Sequence, residues 1–213
     1  MPVTIMGGGG EGSGSTPSFR IASFTNNRSI NELGTSISSI TFDMAYLNGS
    51  VSSHSIAPLV GSVPVVDRAI TLSGQDIMSD MTFTLTATSD TGVTRTATTQ
   101  VKFFAPVWYG TVLDNITFTQ LDVKGMTKRV NPFTNFTATL NITNEFSCFA
   151  SPMTNPITDI KEKLFGLSIL DTYNVINNFP ITLADGSILN YRIHVKKLME
   201  NTLGNPFSLD IIF

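Results

Sequence analysis

Apolar residues alternate with threonine through Thr82, Phe83, Thr84, Leu85, Thr86, Ala87 and Thr88, and Ser89-Asp90-Thr91-Gly92 separates this run from the equally Thr-rich Val93 to Val101. A period of two buries one face of a strand and leaves the other to water, so the two runs predict a hairpin closed by the Asp/Gly turn. Phe83, Leu85 and Ala87 on the first strand face a thinner set, Ala97, Val101 and Phe103, on the second. The same grammar recurs upstream. Phe19, Ile21 and Phe24 predict a first strand, Ile37, Ile40, Phe42, Met44 and Tyr46 a longer one, and Asn48-Gly49 a hairpin turn after it. Val60 to Val66 and Ala69 to Leu72 predict short strands divided by Gly61, Pro64 and Asp67.

Beyond residue 104 the pattern changes at Ala105-Pro106-Val107-Trp108-Tyr109-Gly110, where a proline and a glycine bracket two large aromatics in the manner of a domain joint. Phe136, Ala138, Leu140 and Ile142 then alternate with Thr and Asn, and Phe146 to Ala150 continue apolar. Tyr191, Ile193 and Val195 follow the turn Ala184-Asp185-Gly186, and Phe207, Leu209, Ile211 and Phe213 alternate to the last residue. Ile157, Ile160, Leu164 and Leu167 have helical spacing, interrupted by Gly166. The fold class read from these patterns is all-β. Residues 17–105 read as an immunoglobulin-like β-sandwich, and 106–213 as a second small, mainly antiparallel β domain with at most one short helix. Residues 1–16 read as an anchor peptide, Met1 to Met6, on a Gly-rich tether, with Val3 and Ile5 placed to add as a short strand to a partner's sheet edge.

Composition narrows the function classes. Charged residues are only 14% of the 213, against about 25% in an average soluble protein, and Ser, Thr and Asn fill the surface instead. A net charge of -3 gives no electrostatic reason to bind nucleic acid or an anionic membrane. Cys148 is the one cysteine, so no intrachain disulfide forms, and its setting between Ser147 and Phe149 reads as buried filler. Met1 to Met6 lack the basic residues of a secretion signal, and no later run approaches the ~18 apolar residues of a membrane span. The expectation is a chain made in the cytoplasm with no membrane span.

Residues that do chemistry are scarce. Asp90-Thr91-Gly92 matches the aspartic-protease triplet, but it occupies the turn between two alternating strands, where Asp and Gly are favoured for conformational reasons. His54 and His194 are the two histidines. Neither has a second ligand at metal spacing, His54 reads as an exposed loop residue, and His194 reads as facing solvent between Ile193 and Val195. The glycines at Gly7 to Gly10 lack the lysine of a phosphate loop. No catalytic, cofactor-binding or metal-binding residue is therefore assigned. Trp108 and Tyr109 are the candidates for packing between domains or for stacking on a sugar ring.

The chain resembles a group of tailed-bacteriophage virion proteins in which an immunoglobulin-like module precedes a small C-terminal β domain. The residues that carry the resemblance are Glu32-Leu33-Gly34-Thr35, Phe83-Thr84-Leu85-Thr86-Ala87 with Gly92-Val93-Thr94, and the boundary Phe103-Phe104-Ala105-Pro106-Val107-Trp108-Tyr109-Gly110. In the second module Phe149-Ala150-Ser151-Pro152, Ile169-Leu170-Asp171, Phe179 and Tyr191-Arg192-Ile193 are similar in order, while Ile157 to Phe165 departs from the pattern. The resemblance implies a non-enzymatic structural part of the virion, carried on the tail, baseplate, neck or head as an adaptor or fibre. Other virion proteins, further copies of the chain and a host-surface glycan are the partners it implies. A carbohydrate-binding or adhesin module is the alternative expectation.

Overall fold

The computed structural model describes residues 18–130, 133–202 and 205–213. The strand-forming runs lie close to where the alternation puts them. β1 spans Arg20–Asn26, β2 Ile30–Glu32, β3 Ile37–Leu47, β4 Val51–Ala57, β5 Gly61–Val63 and β6 Ala69–Ile77. The Thr-rich pair forms β7, Met81–Ser89, and β8, Thr94–Phe104, with Phe83, Leu85 and Ala87 all buried. Asp90, Thr91 and Gly92 make the turn between them. Gly92 adopts a φ of 82° and donates its N–H to the Ser89 carbonyl at 3.0 Å, a conformation that favours glycine.

The remaining strands are β9 Val107–Val112, β10 Thr127–Arg129, β11 Phe136–Leu140, β12 Thr143–Pro152, β13 Asp159–Glu162, β14 Tyr173–Thr182, β15 Ile188–Lys196, β16 Glu200–Asn201 and β17 Phe207–Ile212. The α-helix among the described residues is α1, Gln120–Gly125, and a single 3-10 turn covers Leu170–Thr172. Four sheets result: β1-β3-β6, β2-β8-β7-β4-β5, β10-β9-β12-β15-β14 with β16 paired to β12, and β11-β17-β13. Pairing is antiparallel at the registered contacts except for β2 on β8, which is parallel from Ile30 opposite Lys102 to Glu32 opposite Phe104. The protein is thus all-β with one short helix.

Two compact units emerge, each discontinuous in sequence. In the first, which includes Phe42–Ile70 and Phe83–Thr99, the Phe42 ring of β3 meets the Phe83 ring of β7 edge-on at 4.7 Å and stacks on Phe24 at 5.7 Å. The second takes Asn26–Thr41, Thr71–Thr82 and Gln100–Phe213. Its central element is β12, where the pleat sends Cys148 and Ala150 to one face and Phe149 to the other, all three buried. The first face carries a core of Trp108, Val112, Tyr191, Ile193 and Val195 and is covered by Val123 of α1. The second face packs Phe149 and Tyr173 against Ala138, Leu140, Leu209 and Ile211 of the three-stranded sheet. Within this unit Lys128 pairs with Glu32 at 2.5 Å. Gly34, at a φ of 85°, sits where a Cβ would lie 2.9 Å from that of Leu183. Ala105 and Pro106, between β8 and β9, are buried, and the Tyr191 hydroxyl donates to the Pro106 carbonyl at 3.0 Å.

Two local expectations are corrected. Asn48-Gly49 is a tight turn, with φ values of 61° and 149°, but not a hairpin. The strand before it pairs with β1 and β6 and the strand after it with β7 and β5, so the turn carries the chain from one sheet to another. The helical spacing of Ile157, Ile160, Leu164 and Leu167 does not yield a helix. Residues Asp159–Glu162 pair instead with β17, from Asp159 opposite Ile212 to Glu162 opposite Leu209, because cross-strand pairing outweighs a weak local period. The helix forms at Gln120–Gly125, where Thr119 and Asp122 make a reciprocal capping box.

β17 is the middle strand of its sheet, with Leu209 and Ile211 fully buried between β11 and β13. Burial of one such side chain contributes roughly 1.5–3 kcal/mol, and typical total stability is about 5–15 kcal/mol. Deletion of residues 207–213 is expected to unfold or aggregate the second unit, read as loss of a cooperative melt by circular dichroism. A truncated chain with the same melting temperature would show the strand to be peripheral.

Candidate functional site

Each residue singled out by its chemistry has a definite place. Trp108 and Tyr109 are consecutive on β9 and therefore point to opposite faces of the six-stranded sheet. Trp108 is 2% exposed, its ring centroid 5.2 Å from that of Tyr191, so it presents no face to a sugar. Tyr109 is half-buried on the other side, 5.3 Å from Phe136. The structure thus gives the two aromatics separate roles in separate cores of the second unit. Val3 and Ile5 lie outside the described residues.

His54 is not in an exposed loop. It lies on β4 at 3% exposure, opposite Ala87 of β7 and Val63 of β5. Its Nε2 is 2.9 Å from the Pro64 carbonyl oxygen, which can only accept, so in the neutral ring Nε2 carries the hydrogen. Nδ1 then accepts from the Tyr46 hydroxyl at 2.6 Å. The Arg68 guanidinium sits 5.1 Å from the Tyr46 ring centre, and its Nη1 donates to the Val65 carbonyl at 2.6 Å. Burial raises the Tyr46 hydroxyl above its ordinary pKa, with the Arg68 charge opposing. Both nitrogens of this imidazole are therefore engaged.

His194 likewise does not face solvent. Its side chain does alternate away from Tyr191, Ile193 and Val195, but it lies on the face that carries Phe149, its β12 neighbour, and that face is covered. At 2% exposure its Nδ1 has no hydrogen-bond partner. Burial, with the Arg192 charge adding to it, pushes the imidazole down to about 4. On the same sheet the Ser147 hydroxyl and the Tyr173 hydroxyl are 2.9 Å apart and buried. Lys196 Nζ lies 4.9 Å from the Tyr173 ring centre and 3.3 Å from Glu200 Oε1. Burial raises the Tyr173 pKa, the Ser147 hydrogen bond opposes the rise and the Glu200 charge adds to it. Burial alone pushes the Cys148 thiol up to about 12, as suits core filler. Asp90 is exposed in its turn, and its N–H donates to the Ser50 carbonyl at 3.0 Å. Among the described residues no three His, Cys, Asp or Glu side chains gather to hold a metal ion. No helix there is long and apolar enough to cross a membrane.

Sequence reasoning missed one exposed apolar surface feature. Leu164 and Leu167, two of the residues with helical spacing, and Phe165 between them are 78%, 63% and 69% exposed at a tight turn. That turn is held by Glu162 N–H on the Leu167 carbonyl at 2.9 Å and Gly166 N–H on the Glu162 carbonyl at 2.8 Å. Gly166, at a φ of 67°, was the available signal, because a left-handed residue ends a helix and closes a turn. Comparison with protein-family models, with curated sequences and with solved structures gave no match to this chain.

Two outcomes test these networks. Replacing Tyr46 by Phe keeps the ring beside Phe19 and Arg68 but leaves Nδ1 of a buried histidine without its donor. The expected cost is about 1–3 kcal/mol in urea unfolding, with the exposed Asp90→Asn as an unchanged control. His194 makes stability fall in mild acid. An unfolded histidine takes up its proton near pH 6.5, whereas the folded ring stays neutral down to about 4. Stability therefore declines as pH falls from about 6.5 to about 4, by on the order of 3 kcal/mol, and this group adds nothing further below that. The exposed Asp114, Asp122 and Asp185, held below the usual carboxylate range by hydrogen bonds from neighbouring hydroxyl and backbone groups, act below that window. Urea midpoints measured from pH 7 to 4.5 should drop in the wild type and flatten in His194→Leu.

Proposed function

We propose that this chain is a non-enzymatic structural component of a bacteriophage virion, an adaptor of the tail, baseplate, neck or head-fibre type that acts in virion assembly and host attachment. The observation that carries this reading is a division of labour between interior and surface. The polar groups capable of chemistry are locked in hydrogen bonds or sealed inside packed sheets, as at Tyr46–His54 and Ser147–Tyr173. The surface, by contrast, carries large apolar side chains on a hydrogen-bonded turn, Leu164, Phe165 and Leu167, of the kind that a neighbouring protein covers. Such a molecule works by shape and contact.

In this reading residues 17–105 are an immunoglobulin-like β-sandwich and 106–213 a second small β domain. Supporting the first is the way successive strands pass between the sheets β1-β3-β6 and β2-β8-β7-β4-β5, with Phe42 of one touching Phe83 of the other. The arm with Val3 and Ile5 is the attachment element, because alternating apolar residues before a glycine tether form a strand only by adding to an existing edge. The partners are other virion proteins and further copies of the chain, with a host-surface glycan as the target of the outward modules. The chain is made in the host cytoplasm and resides in the particle.

The test is an image of intact particles of the phage that encodes the chain, together with particles bearing the chain without residues 1–16. The full chain is expected as located density. The truncated chain is expected to fold, by circular dichroism, and to be missing from particles. Particles devoid of the full chain would overturn the reading, and normal incorporation of the truncated chain would overturn the role of the arm.

A further inference from the structure

Strand addition needs an outer strand with free backbone groups, an unbroken pleat and a face that suits the incoming side chains. The outer strands differ sharply on these counts. β14 is closed: Pro180 has no N–H to offer, Asn178 at a φ of 58° marks a bulge, and α1 caps Thr182. There the Thr182 N–H donates to Gln120 Oε1 at 3.0 Å, and Lys124 Nζ donates to the Thr182 carbonyl at 2.9 Å. β6 is interrupted by Gly74 at a φ of 73°. β1 has one buried residue, Phe24, among the exposed Ala22, Ser23 and Thr25, and so offers no apolar row. The stretch of β8 not covered by β2 offers Arg95, Ala97 and Thr99 on one face and threonines on the other, with little apolar surface.

β11 meets all three requirements. Among the described residues β17 is its one strand neighbour, with a regular register from Phe136 opposite Ile211 to Leu140 opposite Phe207. Its inward side chains, Phe136, Ala138 and Leu140, belong to the second core of their unit. Its outward ones, Thr137 and Thr139, are exposed and already form a polar ladder: Thr137 donates to the Asp210 carboxylate at 2.7 Å and accepts from Lys163 Nζ at 3.2 Å, and the Thr139 and Ser208 hydroxyls are 3.0 Å apart. Unlike β14, it has no proline or bulge, and the cation on its outward face, Lys163 Nζ at 3.2 Å from Thr137 Oγ1, belongs to the residue that follows β13.

We propose that the segment Met1–Met6 of one copy adds as a strand to the outer edge of β11 of a second copy, a deduction that rests on the arm being the attachment element. Val3 and Ile5 then extend the apolar row of Phe136, Ala138 and Leu140, and Thr4 extends the polar ladder opposite Thr137 or Thr139. The nine residues Gly7 to Ser15 have the composition of a Gly/Ser linker, for which an r.m.s. span of about 15–18 Å is expected, enough to reach across a contact. Because each copy gives one arm and accepts one, two copies can exchange arms reciprocally in a closed dimer, or successive copies can pass the arm along a ring or row.

The experiment uses full-length chains with single cysteines, Cys148 being buried and out of reach of thiol reagents. One population carries Thr4→Cys and the other Thr139→Cys or Thr137→Cys; Val175→Cys on β14 serves as the control edge. Mixed and mildly oxidised, the arm and β11 populations are expected to give a covalent dimer on a non-reducing gel, and the control pair none. In parallel, Val3→Asp with Ile5→Asp should reduce the self-associated species in sedimentation to monomer. If deletion of residues 1–16 abolishes particle incorporation but no arm–β11 dimer forms, the β11 assignment falls while the attachment role of the arm stands. A cross-link formed only inside a Thr4→Cys, Thr139→Cys double variant overturns the second copy as acceptor. Self-association and incorporation that survive the deletion overturn both readings.

Discussion

The second unit depends on the double burial of β12. A strand with both faces covered has no solvent side on which to place a polar residue, and Phe146-Ser147-Cys148-Phe149-Ala150 accordingly carries a single hydroxyl, itself bonded to Tyr173. The pleat then assigns Cys148 and Ala150 to the core under α1, and Phe149 to the core shared with the three-stranded sheet. Trp108, Tyr109, Tyr191 and His194 take their sides from their register against this strand. A slip of one residue would exchange the two cores, placing the Phe149 ring where a thiol and a methyl group fit.

Low charge is the other side of the same constraint. With few lysines and glutamates, solubility and sheet-edge protection fall to Thr, Ser and Asn, and these residues build ladders on the outer faces. Thr41–Thr71, Thr88–Thr94 and Thr139–Ser208 are each about one hydroxyl hydrogen bond apart, at 2.9, 3.0 and 3.0 Å. Such ladders stiffen a sheet without presenting charge to a neighbour. They also leave an edge strand such as β11 without a charged residue of its own, a device that commonly discourages pairing. A protein that must be held in an assembly gains from that omission, and a free monomer would be at risk of aggregation from it.

Internal polar groups were placed where titration is costly. His194 is sealed with an unpartnered nitrogen, and Tyr173 and Cys148 are held in their neutral forms by burial. His54 differs, since Tyr46 and Pro64 occupy both of its nitrogens. The sealed His194 ties the fold to neutral pH.

Much of the strand content was legible in the sequence, because alternation is a local property. Phe83, Leu85 and Ala87, and equally Leu209 and Ile211, are buried in a period of two whatever they pair with. The Asp90-Thr91-Gly92 turn was legible for the same reason, and so was Cys148 as filler. What only the tertiary structure decided is how many faces of each strand are covered and which strand lies beside which. His194 alternates as its neighbours predict, yet a second sheet seals the side expected to meet water. Asn48-Gly49 turns the chain as its residues require, yet the strands it joins find partners in different sheets. Leu164 and Leu167 have helical spacing, yet β17 draws Asp159–Glu162 into a strand and leaves them exposed. Local sequence sets the pleat and the turn. Pairing and layering are set by distant segments competing for the same edges and faces, and no window of the sequence contains that competition.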